Sequence, residues 1–282
     1  MKYLSNAKIN LNLMITGIDN EGYHTLYSVV APIDLYDELD IELNDTNSIV
    51  LECNKKEIPT NEKNIIIKCI HELRKYKNFN KGIKIKLKKN IPNEAGLGGG
   101  SSNGATTLLA LNDMLKLNLT KEELVRIGVK VGADIPLFIY NKVALMEGRG
   151  EKITVINNNE FKPWVLLVKP DRGVSTKEAF SLFDKIMKTK EYTPLILHKL
   201  IEENNKEEIY RYIKNDLQRP ALMLVKEIQD VLKDIENTNP QAFCMSGSGS
   251  CCFGLFEREQ EVINAYNLLK NKYKFVKIAK IL

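Results

Sequence analysis

Gly96, Gly98, Gly99 and Gly100 crowd into five positions directly before the apolar run Ala105–Leu111. Glycines that dense permit positive φ and let backbone N–H groups approach a ligand with no Cβ in the way. The run after them reads as a helix, so the loop delivers free amides and the positive end of a helix dipole to one point. Such a point holds an anion, phosphate above all. It is not a Walker A loop, because Gly100 is followed by Ser101-Ser102-Asn103 and no lysine comes close behind. Nor is it a dinucleotide fingerprint, since serine stands at 101 where the third glycine would fall.

Three further segments carry polar groups in suggestive settings. Lys8, Asn10 and Asn12 share one face of an alternating stretch, with Ile9, Leu11 and Leu13 on the other. Asparagine is depleted in strands, so two of them beside a lysine suggest the wall of a polar pocket. Asp134 sits between Gly132 and the apolar run Ile135–Phe138. Read alone, it only caps a short helix with Pro136 in the first turn. Ser246-Gly247-Ser248-Gly249-Ser250 is a second glycine-rich turn, flanked by apolar stretches that read as paired strands.

The elements that must position these groups are partly legible. The first ninety residues are strand-rich: 7–13 alternates, 27–33 is apolar and 37–43 alternates again. Gly82–Lys89 alternates apolar residues with lysine, and its lysines read as a solvated face. Helical spacing covers 61–77, the helix after the glycine loop ends near Leu115, and Thr120 with Glu123 announces a capping box. Val143–Met146 and Trp164–Val168 read as buried strands, and helices dominate from Ser175 to about 240. The polar stretch Asn157–Glu160 is a candidate boundary between residues 1–157 and 158–282. The pattern is α+β in two lobes.

Bulk properties exclude several classes. The 282 residues carry 44% hydrophobic and 27% charged side chains, ordinary for a globular protein, and no apolar run is long enough to span a membrane. Met1–Lys8 lacks the apolar centre of a signal peptide, so the expected location is cytoplasmic. Five cysteines form no CxxC pair, and His24, His71 and His198 are scattered, so reduced thiols are expected and a protein-held metal site is not. A net charge of +5 suits a small anionic substrate and is too mild to argue for nucleic acid.

Taken together, these segments resemble the GHMP kinases over essentially the whole chain. The stretch Pro92-x3-Gly96-Leu97-Gly98-Gly99-Gly100-Ser101-Ser102 is similar to the family's ATP-phosphate loop, and Ser246–Gly249 to its third motif. The resemblance is strongest to the branch that phosphorylates an alcohol carrying a cytidine diphosphate group. It is carried by Ala7–Leu11, Gly22–Leu26, Ser101–Asn103, Gly132–Pro136, Gly148–Glu151, Val174–Thr176 and Asn215–Leu217. It departs from that branch at Gly104, where alanine is usual, and at Ser248, where threonine is common.

The resemblance implies a ribosomal-protein-S5-domain-2-like N-terminal lobe and an α/β C-terminal lobe, and an ATP-dependent kinase of isoprenoid precursor synthesis. Asp134 would take the proton from the acceptor hydroxyl and Lys8 would support it. Pro92, Gly96, Leu97 and the Gly98–Ser102 loop would hold ATP, with Mg²⁺ bound mainly through the phosphates. Asn10, Tyr23, His24, Tyr27, Phe180, Ser246 and Gly247 would surround the substrate, His24 reading cytosine while Tyr27 and Phe180 stack on it. Rival expectations are a family kinase for another alcohol, a sensor without turnover, and an RNA-binding module. Retention of Lys8, Asp134 and Gly22-Tyr23-His24, and the mild charge, weigh against them.

Overall fold

Alternation over the first positions builds strand β1 (Lys2–Asn10) in the computed structural model, whose described residues are 1–157, 160–186 and 195–282. After β2 (Met14–Ile18), the apolar stretch and the second alternating stretch prove to be one strand, β3 (His24–Asn44). The strand runs through in spite of Pro32, which lies between the part of β3 paired with β6 and the part paired with β5. Next come β4 (Ile49–Cys53), α1 (Ile65–Tyr76), β5 (Gly82–Lys88), α2 (Gly99–Met114), α3 (Lys121–Val129) and α4 (Ile135–Tyr140). Then follow β6 (Ala144–Gly148), β7 (Lys152–Val155), β8 (Trp164–Lys169), α5 (Thr176–Ile186), α6 (Leu197–Glu202) and α7 (Lys206–Ile209). The chain ends with α8 (Gln218–Leu224), α9 (Glu227–Glu236), β9 (Ala242–Met245), β10 (Cys252–Phe256), α10 (Glu259–Leu269) and β11 (Phe275–Lys280). Positions 158 and 159 of the expected boundary, and 187–194 of the helical region, lie outside the described residues.

The chain divides into two compact units, each assembled from separate segments. Unit one is Met1–Ala7, Leu35–Pro92 and Gly98–Asn141; unit two is Lys8–Asp34, Asn93–Leu97 and Lys142–Leu282.

In unit one, β4 runs parallel to β5 and β5 antiparallel to the second part of β3, in register Glu38↔Lys88 through Asn44↔Gly82. Helix α1 starts where the Asn64 side chain accepts the Ile66 amide at 2.9 Å, a cap that stabilises the first turn by about 1 kcal/mol. It buries Ile66, Cys69, Ile70 and Leu73 at the helical spacing read from the sequence. Helix α3 has the expected Thr120–Glu123 capping box. Gly104 on α2 has a packing reason: a Cβ there would stand 2.7 Å from Ile65 Cγ2 and 2.9 Å from Cys69 Sγ.

In unit two, the first part of β3 pairs antiparallel with β2 and β6, and β6 with β7. A second sheet, in order β11-β8-β10-β9, is antiparallel throughout. The expected pairing around the second glycine turn is present as Cys252↔Met245 and Phe253↔Cys244. Leu166, Val168, Val231, Ile235 and Val262 belong to one core beneath this sheet.

Candidate active site

In unit one the glycine loop ends at Gly98, whose φ of 68° is left-handed, and helix α2 begins at the next residue with no side-chain cap. The first helical bond returns from the Ser102 amide to the Gly98 carbonyl at 2.9 Å. The amides of Gly99, Gly100 and Ser101 therefore point out of the helix end, the arrangement that binds phosphate oxygens. Pro92 is half-buried ahead of the loop. Gly99 does not use the positive φ that glycine makes easy. It is glycine for space: a Cβ would come within 2.9 Å of both Ile91 Cγ2 and the Lys89 ammonium.

Beneath this helix end lies a buried polar network that the sequence reading missed. The Asp37 carboxylate accepts the amides of Asn90 at 2.7 Å and Ile91 at 2.9 Å, the Asn103 side-chain amide at 2.9 Å, and the Lys89 ammonium. Asn103 also donates to Ser5 Oγ at 2.9 Å, and Ser5 donates to Ser102 Oγ at 2.8 Å. The expectation that Lys89 belongs to a solvated lysine face is corrected: Lys88 is exposed against Glu38, whereas Lys89 is buried. The parity of the strands held the signal. Asp37 shares its face with Leu39, Ile41 and Leu43, and Lys89 with Ile83, Ile85 and Leu87, so each is a charge on the apolar face.

Asp134 precedes α4 with φ −81° and ψ −10°, and its side chain makes no capping hydrogen bond. The plain helix-cap reading therefore does not account for it.

In unit two, Lys8, Asn10 and Asn12 are all buried, and so are Ile9 and Leu11 on the alternate face. The Lys8 ammonium donates to Asn10 Oδ1, the Asn10 amide nitrogen donates to Ser28 Oγ at 2.8 Å, and the Asn10 backbone donates to Ser246 Oγ at 3.1 Å. Asn12 leaves the pocket wall expected of it. The strand ends at Asn10, and the Asn12 side chain instead accepts the Val29 amide at 2.6 Å.

The second glycine turn grips the first part of the loop. Ser246 Oγ donates to the Gly96 carbonyl at 3.0 Å, and Cys251 donates to the Ala95 carbonyl at 3.2 Å. A Cβ on Gly96, at φ 72°, would sit 1.9 Å from the Ser246 carbonyl oxygen, so only glycine fits. Gly247 backs onto Gly96, where a Cβ would stand a tight 3.0 Å from the Gly96 carbonyl oxygen, and its φ of 57° is left-handed. The Asn215 amide holds the turn by donating to the Met245 and Gly247 carbonyls, each at 2.7 Å. Leu97 is buried, and its carbonyl accepts the Lys8 amide at 3.0 Å.

A second cluster surrounds His24. Its Nε2 meets Asp184 Oδ1 at 2.7 Å, Phe180 stacks on the ring at 4.8 Å, and Phe183 meets it edge-on at 6.1 Å. Tyr23 beside it is exposed, with the Arg149 guanidinium 4.1 Å from its ring centre. Arg149 also binds Asp19 at 2.6 Å, and Asp19 accepts the Glu21 and Tyr23 amides, so the loop before His24 is tied down. Tyr27, expected to stack on a base, is corrected. Its ring is only 3% exposed, and its hydroxyl meets His198 Nδ1 at 2.8 Å. Burial pushes that phenol up to about 12, and no open face remains for a ligand. The partners Asp184 and His198 gave no signal in the sequence, being 160 and 171 residues away.

A helix end whose free amides face outward is the arrangement that holds the phosphates of a phosphoryl donor. The family model for the GHMP kinases N terminal domain matches residues 64–142, and that for the GHMP kinases C terminal domain matches residues 197–274. The chain belongs to the GHMP kinases. It is thus a small-molecule kinase with ATP as phosphoryl donor. It is 39% identical over 99% of both chains to the 4-diphosphocytidyl-2-C-methyl-D-erythritol kinase of Clostridium tetani (strain Massachusetts / E88). It is 36% identical to the protein of that name from Caldanaerobacter subterraneus subsp. tengcongensis, over 97% of this chain and 94% of the relative. The crystal structure of a 4-(cytidine 5'-diphospho)-2C-methyl-D-erythritol kinase superposes with a TM-score of 0.83 at 26% identity, covering 100% of this chain and 99% of that one.

Proposed function

We propose that the chain transfers the γ-phosphoryl group of ATP to the 2-hydroxyl of 4-diphosphocytidyl-2-C-methyl-D-erythritol. The products are the 2-phosphate and ADP, a step of non-mevalonate isoprenoid precursor synthesis. Its whole-length likeness to kinases of that name carries the reading.

The loop amides of Gly99, Gly100 and Ser101 bind phosphate oxygens and fix the donor. Asp134 accepts the proton of the attacking hydroxyl, and Lys8 offsets charge on the transferred group. Because the transition state is loose, positioning and charge stabilisation supply most of the rate. Among the described residues no three His, Cys, Asp or Glu side chains group to hold a metal. Mg²⁺ takes few protein ligands and would be held mainly through the phosphates, neutralising part of their charge.

His24 reads the cytosine edge, and Phe180 and the exposed ring of Tyr23 are the aromatic faces at hand. Asn10, Ser246 and Gly247 line the methylerythritol side. The two family-model matches fall one in 1–157 and one in 158–282, and these are read as the two sequence domains, although Lys8–Asp34, Asn93–Leu97 and 142–157 belong to the same compact unit as the C-terminal part. The substrate is small; the reading includes no nucleic acid or membrane partner and a cytoplasmic location. Among the described residues no helix is long and apolar enough to cross a membrane.

The test is ATP-dependent phosphorylation of the cytidine compound in parallel with mevalonate and homoserine. Turnover of the first alone is expected; preference for either of the others overturns the substrate.

A further inference from the structure

His24 is held from one side by two residues of a single helix face. Phe180 and Asp184 stand four apart on α5, so they project together. Phe180 lies against the imidazole at 4.8 Å with 30° between planes, and Asp184 Oδ1 takes Nε2 at 2.7 Å. The phenyl ring limits how the imidazole turns, and the carboxylate decides its protonation pattern. An ionised carboxylate can only accept, so Nε2 must be the nitrogen that donates. A neutral imidazole has one N–H, which leaves Nδ1 as a bare acceptor.

We propose that Asp184 is a positioning residue that fixes the Nε2–H form of His24, and through it the choice of cytosine over uracil. The inference rests on the reading of a cytidine-diphosphate substrate. Cytosine carries an amino donor at its 4-position, whereas the uracil-type edge carries an oxygen acceptor there. A bare Nδ1 accepts from the amine and finds no donor on the oxygen, leaving two acceptors face to face. Without the carboxylate the proton moves between the two nitrogens, and an Nδ1–H form serves the oxygen instead. Asp184 has half its side chain in solvent, so removing it disturbs the fold little, and its effect is read through the ring alone.

The test combines ring spectroscopy with base preference. Imidazole ¹⁵N shifts of the free protein, assigned with His24→Gln, should show His24 as the Nε2–H form in wild type and as a mixture in Asp184→Ala. With ATP saturating, Asp184→Ala should raise KM for the cytidine compound about tenfold, the scale of one polar contact. The kcat and the KM for ATP should stay within about twofold. Preference for cytidine over the uridine analogue should shrink about as much as KM rises, and Asp184→Glu should restore most of it. An Nδ1–H form in wild type, or unchanged base preference in Asp184→Ala, overturns the inference. If wild type does not phosphorylate the cytidine compound, the functional reading falls, while the ring spectrum still decides the proton's place.

Discussion

Asp37 and Lys89 carry the register of β3 and β5 one step past Glu38↔Lys88, and there they pair on the buried face, with side chains 0% and 6% exposed. The pair stands at the point where β5 gives way to the chain leading into the glycine loop. Asp37 also holds the two amides that follow Lys89, and Asn103 two residues beyond Ser101. One carboxylate thus ties the approach to the loop to the helix that presents its amides.

Asp37→Asn keeps the shape and removes the charge. Lys89 is then a buried cation with no counter-charge from that position, a change that costs about 3–5 kcal/mol when a buried pair is broken. The urea midpoint should fall accordingly, and the KM for ATP should rise as the helix end loses its tether. A loss under about 1 kcal/mol would show that Lys89 swings to solvent and that the pair is not a fixed support.

Gly99→Val tests the phosphate loop directly. The added side chain meets Ile91 and the Lys89 ammonium at distances no real Cβ keeps. Helix α2 must shift, taking the Gly100 and Ser101 amides with it. Affinity for ATP should drop by at least about tenfold, the value of one or more strong hydrogen bonds, while the cytidine compound binds almost as before. Titration calorimetry with each ligand separates this from a folding defect, in which both affinities fall together.

What the sequence disclosed and what it hid divide along a physical line. The loop, the capping box, α1, and the strands flanking the Ser246–Gly249 turn were legible because each is local: a residue type, a spacing and a periodicity within some fifteen positions. Asp134 reads locally as an ordinary helix cap, and only the missing cap bond in the structure separates it from one. Asp37–Lys89, His24–Asp184 and Tyr27–His198 join residues 52, 160 and 171 positions apart. Such pairs exist only once the chain has folded. Tyr27 was misplaced for the same reason, since nothing local says that a tyrosine in a strand is covered by a distant histidine. The charges on the apolar faces of β3 and β5 were the one non-local signal within reach, through strand parity.

Thiol chemistry gives a check on the second sheet. Cys69, Cys244, Cys251 and Cys252 are buried, and burial pushes the thiols of Cys69, Cys244 and Cys251 up to about 12 and that of Cys252 well above its usual value. Since the thiolate is the nucleophile, these four should resist iodoacetamide at pH 8. Cys53 is partly exposed and should react. Intact mass should rise by one adduct in the native protein and by five after denaturation. Two or more adducts on the native protein would mean that the β9–β10 region, or α1, opens readily.

The catalytic assignment is tested by comparing Asp134→Asn with Lys8→Ala. The Asp134 carboxylate makes no capping bond, so its loss leaves α4 without a new defect and the variant should melt close to wild type. Asparagine cannot take a proton from the attacking hydroxyl. The kcat should fall about 10²–10⁴-fold, the usual share of a general base, with the KM for ATP little altered. Lys8 differs because it is buried and donates to Asn10. Removing it should cost some stability as well as rate, and an urea titration run beside the kinetics measures that part. If Lys8 acts on the transferred phosphoryl group, Lys8→Ala lowers kcat more than it weakens ATP binding. Weaker ATP binding with kcat unchanged would make it a ground-state phosphate ligand. Near-wild-type turnover by a folded Asp134→Asn protein would remove the base from the mechanism, and the proton would then leave through water or the phosphate itself.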